Sequence, residues 1–243
     1  MSYRPEEILI TAIAGLLEGA SHVAVGAMSP IPAAAALLAR ERSGGHMRVS
    51  VLGSAKHNFF TDGGRELFDC AAQGRIDVFF LGGPQIDGAA NINRVGIGGY
   101  PRSEARFPGS FGSAHLYFVV PRVILFQPEH STRTLVRRVD FVSAPGVSPA
   151  GVYRPGGPVA LVTGRCVFSF DRGAARFRLQ TVHPGQTAED IRANTGFDFD
   201  VADPVQATPE PDTATLALLR GDIGQALAET YPAFAARVLG VAA

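Results

Sequence analysis

Behind Pro5 and the acids Glu6 and Glu7, apolar residues recur at Ile8, Ile10, Ile13, Leu16 and Leu17. That spacing follows the helical period, and the start carries first-turn chemistry, so a helix is expected over residues 5–20. His22–Gly26 reads as a short apolar strand and Met28–Pro32 as a loop. Residues 33–41, built from strong helix formers, read as a second helix. Arg48–Leu52 is the next strand and stops at Gly53-Ser54. Ile76–Leu81 and Val123–Phe126 are short, mainly apolar runs closed by Gly or Pro, the pattern of strands buried on both faces. Further strands are expected near Val159–Val162, Cys166–Phe170 and Arg176–Val182, followed by a helix capped at Thr187 with Glu189 and Asp190 in its first turn. This alternation predicts an α/β fold: a single domain over residues 1–243 with a mainly parallel open sheet flanked by helices. Residues 203–243 read as a proline-bearing connector and a C-terminal helical region. Residues 82–115 are dotted with glycine and lack a period; their aromatic and Asn content marks a long, ordered, functional loop.

Charge narrows the function. Twenty-two basic residues balance twenty-two acidic ones, so nothing in the net charge favours nucleic acid or an anionic membrane. No apolar run reaches the roughly 18 residues a spanning helix needs, and the N-terminus has no secretory pattern. A cytoplasmic protein is expected. Cys70 and Cys166 have no metal-type spacing and read as buried, reduced thiols. Neither a metal site nor a tightly bound cofactor is expected.

The richest candidate for chemistry is the segment from Gly82 to Asn93, which leaves a hydrophobic strand at the carboxyl edge of the sheet, where open α/β folds place ligands. Its glycines allow close backbone approach, and Gln85, Asn91 and Asn93 can donate and accept hydrogen bonds. The same residues can equally close turns on their own backbone, and the pattern alone leaves both readings open. Arg106–His115 is a second small-residue loop, whose amides could form an anion-binding nest. Glu129-His130-Ser131 holds triad residue types at consecutive positions that rarely face one another, and Gly109-Ser110-Phe111-Gly112 is not a nucleophile elbow. His57 and His115 are loop histidines able to titrate near neutrality or simply to sit at the surface.

Four segments together resemble one family. Gly82–Asn93 is similar to the Gly-Gly-Ala-Gln-Ile-Asp-x-x-Gly-Asn-x-Asn stretch of the B subunit of glutaconate CoA-transferase and its family I relatives. Arg106–Ser113 resembles their Arg-Phe-x-Gly-Ser-Gly-Gly-Ala loop, and Arg138–Gly146 and Asn194–Val201 fit the same family in order and spacing. The resemblance implies an A-type (alpha) partner subunit in an oligomer, a fold shared with ribose-5-phosphate isomerase-like proteins, and a coenzyme A thioester as substrate. In that family a B-subunit glutamate attacks the acyl-CoA carbonyl, and a glutamyl-CoA thioester carries the CoA onward. The resemblance also implies that the Gly-rich loop and Asn stabilise the oxyanion. Gln85, Asn91, Asn93, Gly109, Ser110, Phe111 and Gly112 are therefore the oxyanion and CoA-binding candidates.

The departures matter as much. Leu52 occupies the expected glutamate position, and no Asp or Glu lies between Glu41 and Asp62. Phe111 replaces a family glycine, and Ala114 stands where some members carry Asn. Three readings follow. The chain could act on an acyl-CoA thioester with the chemistry carried by its partner or by water, as in the heteromeric hydrolases that open steroid-derived CoA rings. It could be a non-catalytic CoA-binding or scaffold subunit. Or it could be a sugar-phosphate isomerase-like protein, against which the Gln-Ile-Asp and Arg-Val-Asp-Phe-Val-Ser-x-Pro-Gly matches argue.

Overall fold

The computed structural model describes residues 2–241 and has the α/β class read from the sequence. The chain packs as two compact units, one formed by the residues up to Phe80 with those from Pro209 onward, the other by Leu81–Thr208.

The first unit opens with α1 (Pro5–Gly15), β1 (His22–Val25), α2 (Pro30–Arg42), β2 (Arg48–Val51), α3 (Gly63–Ala72) and β3 (Val78–Leu81). β1 pairs in parallel with β2 on one side and β3 on the other. Val23, Ala24 and Val25 have no exposed surface, as expected of a central parallel strand covered on both faces. The first helix is shorter than its apolar pattern, because the chain turns at Leu16–Gly19 and Gly19 adopts a left-handed φ of 75°. The second helix starts three residues earlier than expected. Pro30 and Pro32 sit in its first turn, where missing N–H groups cost nothing. Ala33 to Ala36 are fully buried.

The second unit begins with four two-residue strands, β4 (Gln85–Ile86), β5 (Ile92–Asn93), β6 (Gly96–Ile97) and β7 (Ala105–Arg106), paired antiparallel as β4–β5 and β6–β7. The expected loop over 82–115 is therefore two miniature hairpins, too short to show a period of two. Next come α4 (Ser113–Val119), β8 (Arg122–Gln127), β9 (Pro158–Thr163), β10 (Cys166–Asp171), β11 (Arg176–Val182), α5 (Ala188–Ala193) and β12 (Asp200–Ala207). β8 runs parallel to β9 and β11 to β12, while β10 is antiparallel to both neighbours. The core of this unit is aromatic: Phe168 meets Phe199 edge-on at 5.0 Å, and Phe170 meets Phe177 at 4.8 Å. Thr187 caps α5 as predicted, accepting from the Asp190 amide. Residues 203–207, expected as connector, are instead part of β12. Pro204 is tolerated there because β12 is an edge strand.

The chain then returns to the first unit with α6 (Thr213–Leu218), α7 (Gly224–Ala228) and α8 (Pro232–Phe234), with π-helical turns at Leu219–Ile223 and Ala235–Leu239. Arg220 pins this region to α1 through a two-pronged pair with the fully buried Glu7 carboxylate, at 2.7 and 2.8 Å. Among the described residues no helix is long and apolar enough to cross a membrane.

Candidate functional site

In the second unit the four family-like segments converge. Gly82 and Gly83 are required by close approach. A Cβ on Gly82 would lie 2.3 Å from the Phe126 carbonyl oxygen, and one on Gly83 would lie 2.5 Å from the Ile92 side chain. Gln85 and Asn93 are buried, and Asn93 Nδ2 donates to Gln85 Oε1 at 2.8 Å and to the Gly96 carbonyl at 2.7 Å. Asn93 Oδ1 accepts from the amides of Val95 and Gly96. Gln85 in turn donates to the Asp140 carboxylate and accepts from the Asp140 amide. Asp87 ties off the turn, accepting from the amides of Ala89 and Asn91 and from Asn91 Nδ2. Asn91 Oδ1 accepts from the Gly146 amide at 3.1 Å. The side chains of Gln85, Asn91 and Asn93 thus brace the loop internally.

The third segment is the buttress of the first. Ile92 donates to the Ala144 carbonyl at 2.9 Å and accepts from the Ser143 amide and hydroxyl. The fourth segment packs against the same loop: a Cβ on Gly88 would touch Phe197 at 3.0 Å, and the Gly196 amide donates to the Leu135 carbonyl.

The second loop lies beside the first. Phe107 donates to the Val95 carbonyl and Gly109 to that of Arg94, while Gly96 pairs with Arg106. Gly109 (φ 99°), Phe111 (φ 26°) and Gly112 (φ 68°) all adopt positive φ, and Ser113 closes the turn by donating to the Ser110 carbonyl. Phe111 is 83% exposed, an unusual pairing of a large apolar side chain with left-handed backbone. Gly109 and Ser110 are half-buried, and Gly112 is exposed. Arg94, which sequence reasoning passed over, links the two loops. Its guanidinium donates to the Gly82 carbonyl at 2.9 Å, and its own carbonyl receives Gly109. Burial lowers its pKa. Its only signal was its place directly after Asn93.

In the first unit, the half-buried Leu52 follows the end of β2, its amide donating to the Val25 carbonyl at 3.0 Å. The chain then loops back, and Val51 donates to the His57 carbonyl. No acid of the loop lies near Leu52 in sequence, yet a carboxylate reaches this loop from the C-terminal helices. Glu229 Oε1 accepts from the Ala55 amide at 2.6 Å, and its Oε2 accepts from the hydroxyls of Ser54 at 2.8 Å and Thr230 at 2.9 Å. The Ala55 N–H is the first cause of a pKa below the usual carboxylate range. His57 is half-buried, and burial followed by the nearby Arg40 lowers its pKa against the opposing pull of Glu229.

The triad residue types at 129–131 do not assemble. Glu129 pairs with Arg133 and Ser131, whereas the buried His130 faces Thr163 at 2.8 Å and Thr195 at 3.0 Å. His115 is exposed. Cys70 and Cys166 are buried and free, and burial pushes the Cys166 thiol up to about 12.

The B subunits of 3-oxoadipate CoA-transferase from Pseudomonas knackmussii and glutaconate CoA-transferase from Acidaminococcus fermentans are each 35% identical to this chain. The matches cover 60% and 61% of this chain and 58% of each relative. The chain thus spans less than two thirds of these relatives' length. The "cholesterol ring-cleaving hydrolase IpdB subunit" of Rhodococcus jostii is 29% identical over 64% of this chain and 62% of its own. Among solved structures, the decarboxylase AibA/AibB superposes with a TM-score of 0.78 at 25% identity, covering 99% of this chain and 100% of that one. The Coenzyme A transferase family matches residues 7–194. The chain belongs to the coenzyme A transferase family and is B-subunit-like within it.

Proposed function

We propose that this chain is the B-type subunit of a complex with an A-type subunit, in the cytoplasm, that acts on an acyl-CoA thioester without a nucleophilic carboxylate of its own. The observation that carries this reading is the convergence of the four family-like segments on the 82–93 loop, while Leu52 follows the end of β2. A leucine has no lone pair with which to attack a carbonyl. Transfer through a glutamyl-CoA on this chain is therefore replaced by attack of water, or of a carboxylate from the partner. The similarity to a ring-cleaving hydrolase subunit supports a reaction other than simple CoA transfer.

In this reading the thioester lies against the 82–93 and 106–112 loops. Gln85, Asn91 and Asn93 fix the shape of the first loop, and Gly109, Ser110 and Gly112 present backbone to the ligand. Phe111, exposed at the tip of the second loop, narrows the approach and gives an apolar wall to an acyl chain. Arg94 supplies a cation for a carboxylate or phosphate.

Calorimetry on the complex with its A-type partner tests the proposal. Heat with a CoA thioester or CoA is expected, and its absence with every CoA species would contradict the reading. A non-catalytic CoA-binding subunit would bind in the same assay and show no turnover.

A further inference from the structure

The position that should bear a carboxylate has none, and a different carboxylate is held on the same loop. Glu229 receives three donors, two of them from Ser54 and Ala55, just beyond Leu52. Ser54 is 6% exposed and also accepts from the His57 amide at 2.9 Å, so its hydroxyl links the Glu229 carboxylate to the His57 backbone. The next residues extend the contact. Gly53 (φ 93°) approaches the Thr230 methyl group, from which a Cβ would lie 3.9 Å away, and the Tyr231 hydroxyl accepts from the Ser29 amide. Ser29 lies in the loop after β1, and Ser54 and Ala55 lie in the loop after β2. One turn of the C-terminal region thus holds two neighbouring loops at the carboxyl edge of the parallel strands, where α/β folds work.

We propose that the Glu229–Tyr231 turn is a positioning element for the loops after β1 and β2, with the Glu229 carboxylate as its working group. It sets the path of the Leu52–His57 loop. The role rests on the function proposed above only for its effect on turnover. Glu229 is not itself the missing nucleophile. Three hydrogen bonds occupy its oxygens and stabilise its charge, which weakens it as an attacking group.

The test uses Glu229→Ala, with Glu229→Gln as the conservative variant that keeps one acceptor oxygen. Glu229 is exposed, so neither change opens a cavity. In the isolated chain, exchange of the Ala55 amide should accelerate by about tenfold or more in Glu229→Ala, less in Glu229→Gln, with the β1 amides unchanged. Unchanged Ala55 exchange would overturn the proposal. In the complex with its A-type partner, kcat for a CoA thioester should fall by about tenfold in Glu229→Ala with KM within about twofold, a loss of orientation and not of binding. Partial recovery in Glu229→Gln is expected, and an unaltered kcat would overturn the catalytic part. If the wild-type complex turns over no CoA thioester, the proposed function fails, and Ala55 exchange alone then decides whether the turn positions the loop.

Discussion

The side-chain amide of Asn93 donates to the side-chain carbonyl of Gln85 at 2.8 Å, and both residues are buried. A pair that could have faced a ligand is thereby turned inward. It joins the end of β5 to the start of β4 and, through Gln85, to Asp140 on the third family-like segment.

Removing Asn93 should therefore damage the fold. Asn93→Ala strands the buried Gly96 amide and leaves the Val95 amide and the Gly96 carbonyl without their protein partner. A loss of about 3 kcal/mol of unfolding free energy is expected by chemical denaturation. Wild-type stability in this variant would show that water replaces the side chain.

Arg220→Ala should be nearly as costly, though Arg220 is partly exposed. It leaves the fully buried Glu7 carboxylate with the Arg4 amide as its donor and no cation paired to it among the described residues, an uncompensated charge beneath the C-terminal helices. About 3 kcal/mol of destabilisation is expected. The double variant Glu7→Met with Arg220→Ala should recover most of it, because no charge then stays buried.

Acid should weaken the protein through its buried histidines. His130 is held down to about 4, chiefly by burial and next by the charge of Arg165, and burial also lowers His183. The fold keeps the imidazole neutral, whereas the unfolded chain protonates it near its ordinary value. The contribution is full above about pH 6.5 and declines as pH falls from there toward about 4, where the folded state also accepts the proton. About 3 kcal/mol from His130 alone is the order expected over that range. Thermal unfolding of His130→Gln should show a shallower decline across the same window, and an unchanged slope would exclude His130 as a source.

Much of this was legible in the sequence. The parallel strands announced themselves as apolar runs, and Thr187 as a cap, because strand burial and capping are local consequences of residue type. The early start of α2 was not, because Pro30 and Pro32 read as loop residues until their place in the first turn is known. Part of the connector became β12, since an edge strand needs neither alternation nor apolar residues. At the site, the four segments were legible by resemblance, but the inward direction of Gln85 depends on Asp140, 55 residues away in the chain, and that of Asn93 on a hairpin too short to show in the sequence pattern. Glu229 could not be found at all. It reaches Ala55 across a sequence separation of 174 residues, and no motif marks it.

The central claim is that the complex processes CoA thioesters without a covalent carboxylate on this chain, and one measurement meets it directly. The complex with its A-type partner is incubated with an acyl-CoA it turns over, quenched, and mapped peptide by peptide by mass spectrometry. The account predicts turnover with no CoA-derived mass on any peptide of this chain, including those holding Leu52, Glu41, Asp62, Glu66 and Glu229. A CoA-derived adduct on any carboxylate of this chain would contradict it.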